Sequence, residues 1–267
     1  MSWLLVALAV LLISGLAALV GQRRSSSSLA VGGVVGAAVL GGIPALRVLL
    51  GAPVEALRWA WSVPYGEFAV ELDALSAWFI LPLLVLSALA AIYGTEYLER
   101  WRGKKLLGGY GLCFNALVAS MVVVVLARNA VLFLVAWELM ALTSFFLVTF
   151  EDEQESVREA GWIYLVATHL GTAFLLAFFL VLGRETGSLD FQAWADVARL
   201  APATAGLLFA LAVIGFGTKA GFMPFHVWLP EAHPAAPSHV SALMSGVMIK
   251  TGIYGLCRAL TFLGPPP

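Results

Sequence analysis

The chain has 267 residues, of which 61% are hydrophobic and 12% charged, with a formal net charge of −1 and a mean hydropathy of +0.94. Soluble domains carry about 25% charge, so a soluble globular fold is excluded, and the balanced charge marks no nucleic-acid partner. A transmembrane β-barrel is excluded too, because barrel strands alternate apolar and polar residues and these apolar runs do not.

A membrane span takes about 20 apolar residues. Eight runs qualify, at 3–20, 29–50, 75–93, 109–127, 129–149, 162–182, 203–229 and 238–262, which predicts an all-α polytopic membrane protein with about eight helices. The first run has no basic residue before it and Arg23 and Arg24 after it, which suits an uncleaved helix starting outside. The second is rich in glycine, and Gly32 and Gly36 stand in the spacing of close helix packing. After it, Phe68, Val70 and Leu72 alternate against Glu67 and Glu71, predicting a short strand outside the bilayer. The charged loop at 96–105 and the acidic loop at 151–160 read first as solvated surface, and either could dock a soluble partner. In 190–200, Phe191, Trp194, Val197 and Ala198 recur at helical spacing and predict a short interfacial helix.

With the N-terminus outside, the inside loops hold Arg23, Arg24, Arg100, Arg102, Lys104, Lys105 and Arg158. The outside loops hold Arg58, Arg128, Arg184 and Arg199, with Arg47 at a helix end. The bias toward the inside predicts a multi-pass inner-membrane protein with both termini outside. Cys113 and Cys257 fall in separate spans without metal-site spacing and read as small apolar residues. Neither a phosphate-cradling loop nor a dinucleotide fingerprint occurs, so no cofactor, metal or redox centre is expected, and energy must come from an ion gradient or a partner.

Charge is costly inside a membrane, and ionisable residues there are functional candidates by default. Glu138, Lys219 and Lys250 sit well inside apolar runs, with His169 as a fourth candidate. Glu138 lies about 14 Å into its helix, too deep to snorkel out. It is either a structural ion pair or a proton-carrying acid. The run holding Lys219 would be about 40 Å long as one helix, against a core of about 30 Å. Gly217, Gly221, Pro224 and Pro230 all weaken it, so this seventh helix is predicted to be broken. Lys219 then sits beside a helix C-terminus, where a cation is favoured; the competing reading is a lysine snorkelling at a helix end. His239 and Lys250 are eleven residues apart, which returns a regular helix to nearly the same face, with Gly246 between them. His226 and His233 are placed near the interface.

The stretch KAGFMPFHVWLPEAHPAAPSHVSALMSGVMIKTGIYGLCR (219–258), with WELMALTSFFLV (137–148) upstream, resembles the antiporter-like proton-translocating subunits of respiratory complex I, multisubunit sodium/proton antiporters and membrane-bound nickel-iron hydrogenases. YGTEYLERWRGKK, GRETGSLDF and HPAAPSHVSALMSGVMIK are most similar to the large antiporter-like subunit of formate hydrogenlyase and hydrogenase 4 complexes. The resemblance implies that Glu138 pairs with Lys219 on the broken helix, directly or through one water. It also implies that Lys250 passes protons onward and that Lys219 is a charge switched by Glu138. It further implies a division into 1–74, 75–108 and a first antiporter-like repeat at 109–267, with an inverted second repeat supplied by the remainder of a longer product or by another chain.

The expected function is therefore proton translocation within a redox-linked complex through Glu138, Lys219, Lys250, His239 and His169, without a redox site in this chain. Expected partners are other membrane subunits, a soluble hydrogenase or dehydrogenase arm, and the lipid bilayer. The alternatives are a non-conducting membrane anchor and a sodium/proton antiporter subunit.

Overall fold

A computed structural model describes residues 1–21, 26–61, 66–194 and 200–264. Each predicted run is a helix: α1 (Ser2–Val20), α2 (Ser26–Leu49), α3 (Ala74–Glu99), α4 (Leu107–Leu126), α5 (Ala130–Val148), α6 (Glu155–Thr186), α7 (Pro202–Ala220) and a last span over Ser238–Leu263. α6 begins seven residues before its apolar run, because Glu155, Arg158 and Glu159 form a solvated first turn and a half that hydropathy alone does not register. A short helix, α8 (Leu229–Ala235), precedes the last span, which is α9 (Ser238–Leu243), a π turn (Met244–Met248) and α10 (Ile249–Leu263).

The predicted strand forms as β2 (Phe68–Leu72), antiparallel to β1 (Glu55–Trp59), with Leu57 opposite Val70. Alternation in β2 exposed the pattern, but β1 packs too little to carry one, so the hairpin partner was not legible. The turn Phe191–Trp194 buries both aromatic rings under Phe262, and Trp194 donates its ring N–H to the Ser188 carbonyl. Val197, Ala198 and Arg199, like Arg23 and Arg24, lie outside the described residues.

α4 is the centre of the bundle: 72% of its span is buried, against 28% for α1. α1 packs on α2 and α4, α2 on α3, α4 on α5, α6 on α7, and α7 on α10. The last of these contacts is backbone-close. A Cβ at Gly252 would lie 2.5 Å from the Phe216 carbonyl oxygen and 2.7 Å from the Ala220 nitrogen, so only glycine lets α10 approach the end of α7. Gly252→Ala is expected to cost about 1–3 kcal/mol, read as a lowered midpoint in detergent thermal unfolding; an unchanged midpoint would show that the helices can separate freely.

One end of the bundle carries the hairpin and a largely buried ion network. Asp73 caps α3 by accepting from the Ser76 N–H at 2.8 Å and receives a bidentate grip from Arg258 at 2.7 and 2.9 Å. Arg128 adds contacts to Asp73 and Glu71, both at 3.2 Å. Burial pushes the Asp73 carboxyl up, but the Arg258 hydrogen bonds, the Arg128 charge and the Ser76 N–H outweigh it and hold the carboxyl well below the usual carboxylate range. Because the folded value is depressed, this stabilisation is fully present above about pH 4 and is lost as pH falls below it. Asp73→Asn is therefore expected to lower the unfolding midpoint at neutral pH, with the gap to the parent narrowing in acid. A gap that held constant down to the lowest accessible pH would rule the network out as its source.

The opposite end carries the charged loops, with acids and bases interspersed. Lys105 is held by Asp152 at 2.6 Å and Glu153 at 2.8 Å, and Arg100, Arg102, Lys104 and Arg158 lie there too. Lys104 is exposed, so a cysteine in its place is expected to react with an impermeant thiol reagent only from the inside of sealed vesicles; reaction from outside would invert the orientation.

Candidate functional site

The seventh helix breaks where glycine permits it. α7 ends at Gly221, whose φ of +75° is a left-handed C-cap, and the N–H groups of Gly221 and Phe222 fold back on Thr218 and Gly217 carbonyls. Pro224 lies in the turn that follows and Pro230 in the first turn of α8. Gly217 is not itself a break: it lies inside α7 and supplies a capped carbonyl. Trp228 anchors the turn by donating to the Thr218 carbonyl at 2.9 Å.

Lys219, in the last turn of α7, is 2% exposed. Its ammonium donates to the Tyr164 hydroxyl of α6 at 3.1 Å and stands 5.9 Å from the Trp137 ring centroid and 5.3 Å from that of Tyr164. Tyr164 is bonded in turn to the Ser144 hydroxyl of α5. Lys219 thus has a helix C-terminus, a neutral oxygen and two aromatic faces around it. Among the described residues no carboxylate lies within ion-pair distance of it.

The direct Glu138–Lys219 ion pair expected from the sequence is not formed. Trp137 takes the inward position on α5, and Glu138, one residue and about 100° further round, meets α6 instead: its Oε2 lies 3.2 Å from Nε2 of His169. The same displacement operates on α6, where Tyr164 and Thr168 face in and His169 faces out. His169 is therefore not packed inside this chain; its side chain is 46% exposed and that of Glu138 30%. His169 Nδ1 lies 2.9 Å from the Leu165 carbonyl, to which it must donate. One proton then has to lie between Nε2 and Oε2 for that contact to be a hydrogen bond.

His239 and Lys250 do not share a face. The π turn at Met244–Met248 adds about one residue to the helix between them and turns the phase by roughly a quarter of a circle. His239 ends up buried, with Nε2 in hydrogen-bond contact with the Tyr110 hydroxyl. Lys250 faces out into a groove of about 210 Å³ with Trp78, Pro82 and Gly246 on its walls. Between the Lys219 and Lys250 sides stand Met140 and Met248, whose sulfurs approach Thr251 at 3.7 Å and Tyr164 at 4.0 Å. Tyr164, Ser144 and Trp137 are not legible as site residues in the sequence; their only signal is a hydroxyl or indole inside an apolar run, which many packed helices share. His226 and His233 lie in the segment around α8, and His233 Nδ1 contacts the Ser241 hydroxyl at 2.9 Å. Among the described residues no group of three His, Cys, Asp or Glu side chains could hold a metal, and Cys113 and Cys257 are unbridged.

Residues 127–265 match the family described as NADH:quinone oxidoreductase/Mrp antiporter, TM. Hydrogenase-4 component B of Escherichia coli (strain K12) is 40% identical over 257 residues, 96% of this chain and 37% of that protein. A probable K(+)/H(+) antiporter component of Rhizobium meliloti (strain 1021) is 30% identical over 206 residues, 75% of this chain and 20% of that protein. Among solved structures, the Mrp complex from Dietzia sp. DQ12-45-1b superposes with a TM-score of 0.85 at 29% identity, over 99% of this chain and 29% of that one. An archaeal membrane-bound sulfane sulfur reductase does so at 0.80 and 27%, over 94% of this chain and 40% of that one. The chain thus spans little more than a third of the length of the Escherichia coli relative.

Proposed function

This chain belongs to the NADH:quinone oxidoreductase/Mrp antiporter membrane family, and from that membership we propose that it translocates protons as an antiporter-like subunit of a redox-linked membrane complex. It is a multi-pass inner-membrane protein. The observation that carries the reading is Lys219: a buried ammonium with a neutral hydrogen-bond partner and no acid in contact holds a proton that a change of surroundings can release. In this proposal Glu138 and His169 hold one proton outside the Trp137–Tyr164 wall. An approach of Glu138 to Lys219, directly or through a water, favours the ammonium; its withdrawal toward His169 frees the lysine proton for Lys250. The methionine pair between the two lysines is the barrier a conformational change must open. We place residues 109–267 as the first of two repeats, with 1–74 and 75–108 flanking it.

Glu138, His169 and Lys250 are polar groups on the outer surface of membrane spans, where lipid would leave them unsatisfied. This supports further membrane subunits, or further chain, covering both faces, and the charged loops at the end opposite the hairpin supply a surface for a soluble hydrogenase or dehydrogenase arm. A sodium/proton antiporter role is the second reading, favoured by the cation-antiporter relative. Reconstitution of the full-length protein in its complex, with a pH-sensitive dye inside the vesicles and sodium present or absent, separates the readings. Acidification independent of sodium supports the proposal, sodium-dependent exchange supports the antiporter, and no ion movement leaves only an anchor.

A further inference from the structure

We propose that the hydroxyls of Tyr164 and Ser144 form a reversible hydrogen-bond chain that satisfies Lys219 both as an ammonium and as a neutral amine, which makes Ser144 a positioning residue for proton release. The proposal rests on the proton-translocation reading above and adds the group that balances its two lysine states. Ser144, on α5, meets Lys219 only through Tyr164 of α6, and all three side chains are buried.

The supply of protons fixes the direction of each contact. An ammonium has donors and no lone pair, so the Tyr164 oxygen must accept from Lys219, at 3.1 Å. The Tyr164 proton is then left to donate elsewhere. Ser144 has one hydroxyl proton too, and its Oγ lies 2.6 Å from the Met140 carbonyl and 3.0 Å from that of Ala141. That proton is placed on its own helix, so the proton in the Tyr164–Ser144 contact is the phenol's. With Lys219 charged, the chain therefore runs from Lys219 to Tyr164 to Ser144 to Met140. Once Lys219 has released a proton its nitrogen has a lone pair, and the direction reverses: Tyr164 turns its proton to Lys219, and Ser144 turns its proton to Tyr164. Each hydroxyl keeps its own proton and only rotates, so the chain takes up no charge and the released proton leaves toward Lys250 as proposed above. The Met140 carbonyl is not stranded by the reversal, because the Ser144 N–H remains its partner within α5.

Neither state leaves a buried hydroxyl without a bond, which is what a lysine that must hold and then release a proton requires. Without the Ser144 hydroxyl the balance tips. The Tyr164 proton still satisfies a neutral lysine, but opposite an ammonium its remaining acceptor among the described residues is the Met248 sulfur at 4.0 Å, a weak one. The ionisable side chains of the surrounding elements point elsewhere: Glu138 of α5 to His169, Glu231 of α8 to the surface, and His233 to Ser241. On the last span His239 meets Tyr110, Lys250 faces its groove and Arg258 grips Asp73. Thr143, one residue before Ser144, shows what an ordinary helix hydroxyl does. It bonds the Leu139 carbonyl at 2.7 Å and the Met140 carbonyl at 3.3 Å and has no partner on another helix among the described residues.

The test uses the full-length protein in its complex, reconstituted in proteoliposomes across a pH series. The alkaline limb of the transport profile, where Lys219 no longer holds its proton, should move by about one pH unit toward acid in Ser144→Ala, the equivalent of one hydrogen bond. Ser144→Thr restores the hydroxyl and should return the limb to its parental place, and Thr143→Ala should not move it. An unshifted limb in Ser144→Ala, a shift that Ser144→Thr does not reverse, or an equal shift from Thr143→Ala overturns the proposal. A second measurement stands if Ser144→Ala fails to fold. Infrared difference spectra of the parent with ring-labelled tyrosine, taken between the two ends of the pH series, should contain a band absent from Tyr164→Phe, as the phenol proton turns from an oxygen to a nitrogen acceptor. Spectra without a Tyr164 band overturn the chain. If instead the parent protein moves no protons, the function proposed above fails, while the infrared band still reports whether the chain reverses.

Discussion

Lys219→Arg is expected to stop proton movement, by about 10²–10⁴-fold, the range contributed by a positioned proton-transfer group, while the complex still assembles. Arginine keeps the positive charge beside the helix C-terminus and the aromatic faces of Trp137 and Tyr164, so a purely structural counter-ion would be preserved. It does not release its proton, so a relay would not be. Lys219→Ala should abolish transport too, but it also empties a buried site and is the blunter test. Tyr164→Phe separates the two contributions: it removes the neutral acceptor at 3.1 Å and leaves the ring. Transport should fall by roughly tenfold, the equivalent of one hydrogen bond to a charged group. Parental rates for Lys219→Arg in the dye assay would make Lys219 structural.

Glu138→Gln carries the second large effect. In the proposed relay the carboxylate and His169 share one proton, which an amide cannot take, so the variant removes the store and keeps the shape. A loss of at least about 10²-fold in transport is expected, and His169→Gln should give a smaller loss, because the carboxyl can still hold the proton alone. Lys104→Ala, in an exposed loop, should do little. Equal and complete losses from both Glu138→Gln and His169→Gln would mean that the pair acts as an indivisible unit; parental rates for Glu138→Gln would remove the acid from the path.

The sequence by itself determined the class, the number of spans and the break in the seventh helix. Hydrocarbon demands about 20 apolar residues per crossing and leaves long uninterrupted runs that no soluble fold needs. Gly221, Pro224 and Pro230 act locally, through a left-handed φ or a missing donor, so their effect at the end of α7 required no tertiary knowledge. It also singled out Glu138, Lys219, Lys250, His169 and His239, because an ionisable group in an apolar run is visible wherever it points. Only the tertiary structure decided which of these meet. Rotation about a helix axis separates Trp137 from Glu138 and Tyr164 from His169, and that rotation is set by packing against neighbours, which put the aromatic residues on Lys219 and the carboxylate on His169. The π turn at Met244–Met248 parted His239 from Lys250 in the same way, since a single added residue in the helix turn is invisible in a pattern that assumes regular spacing.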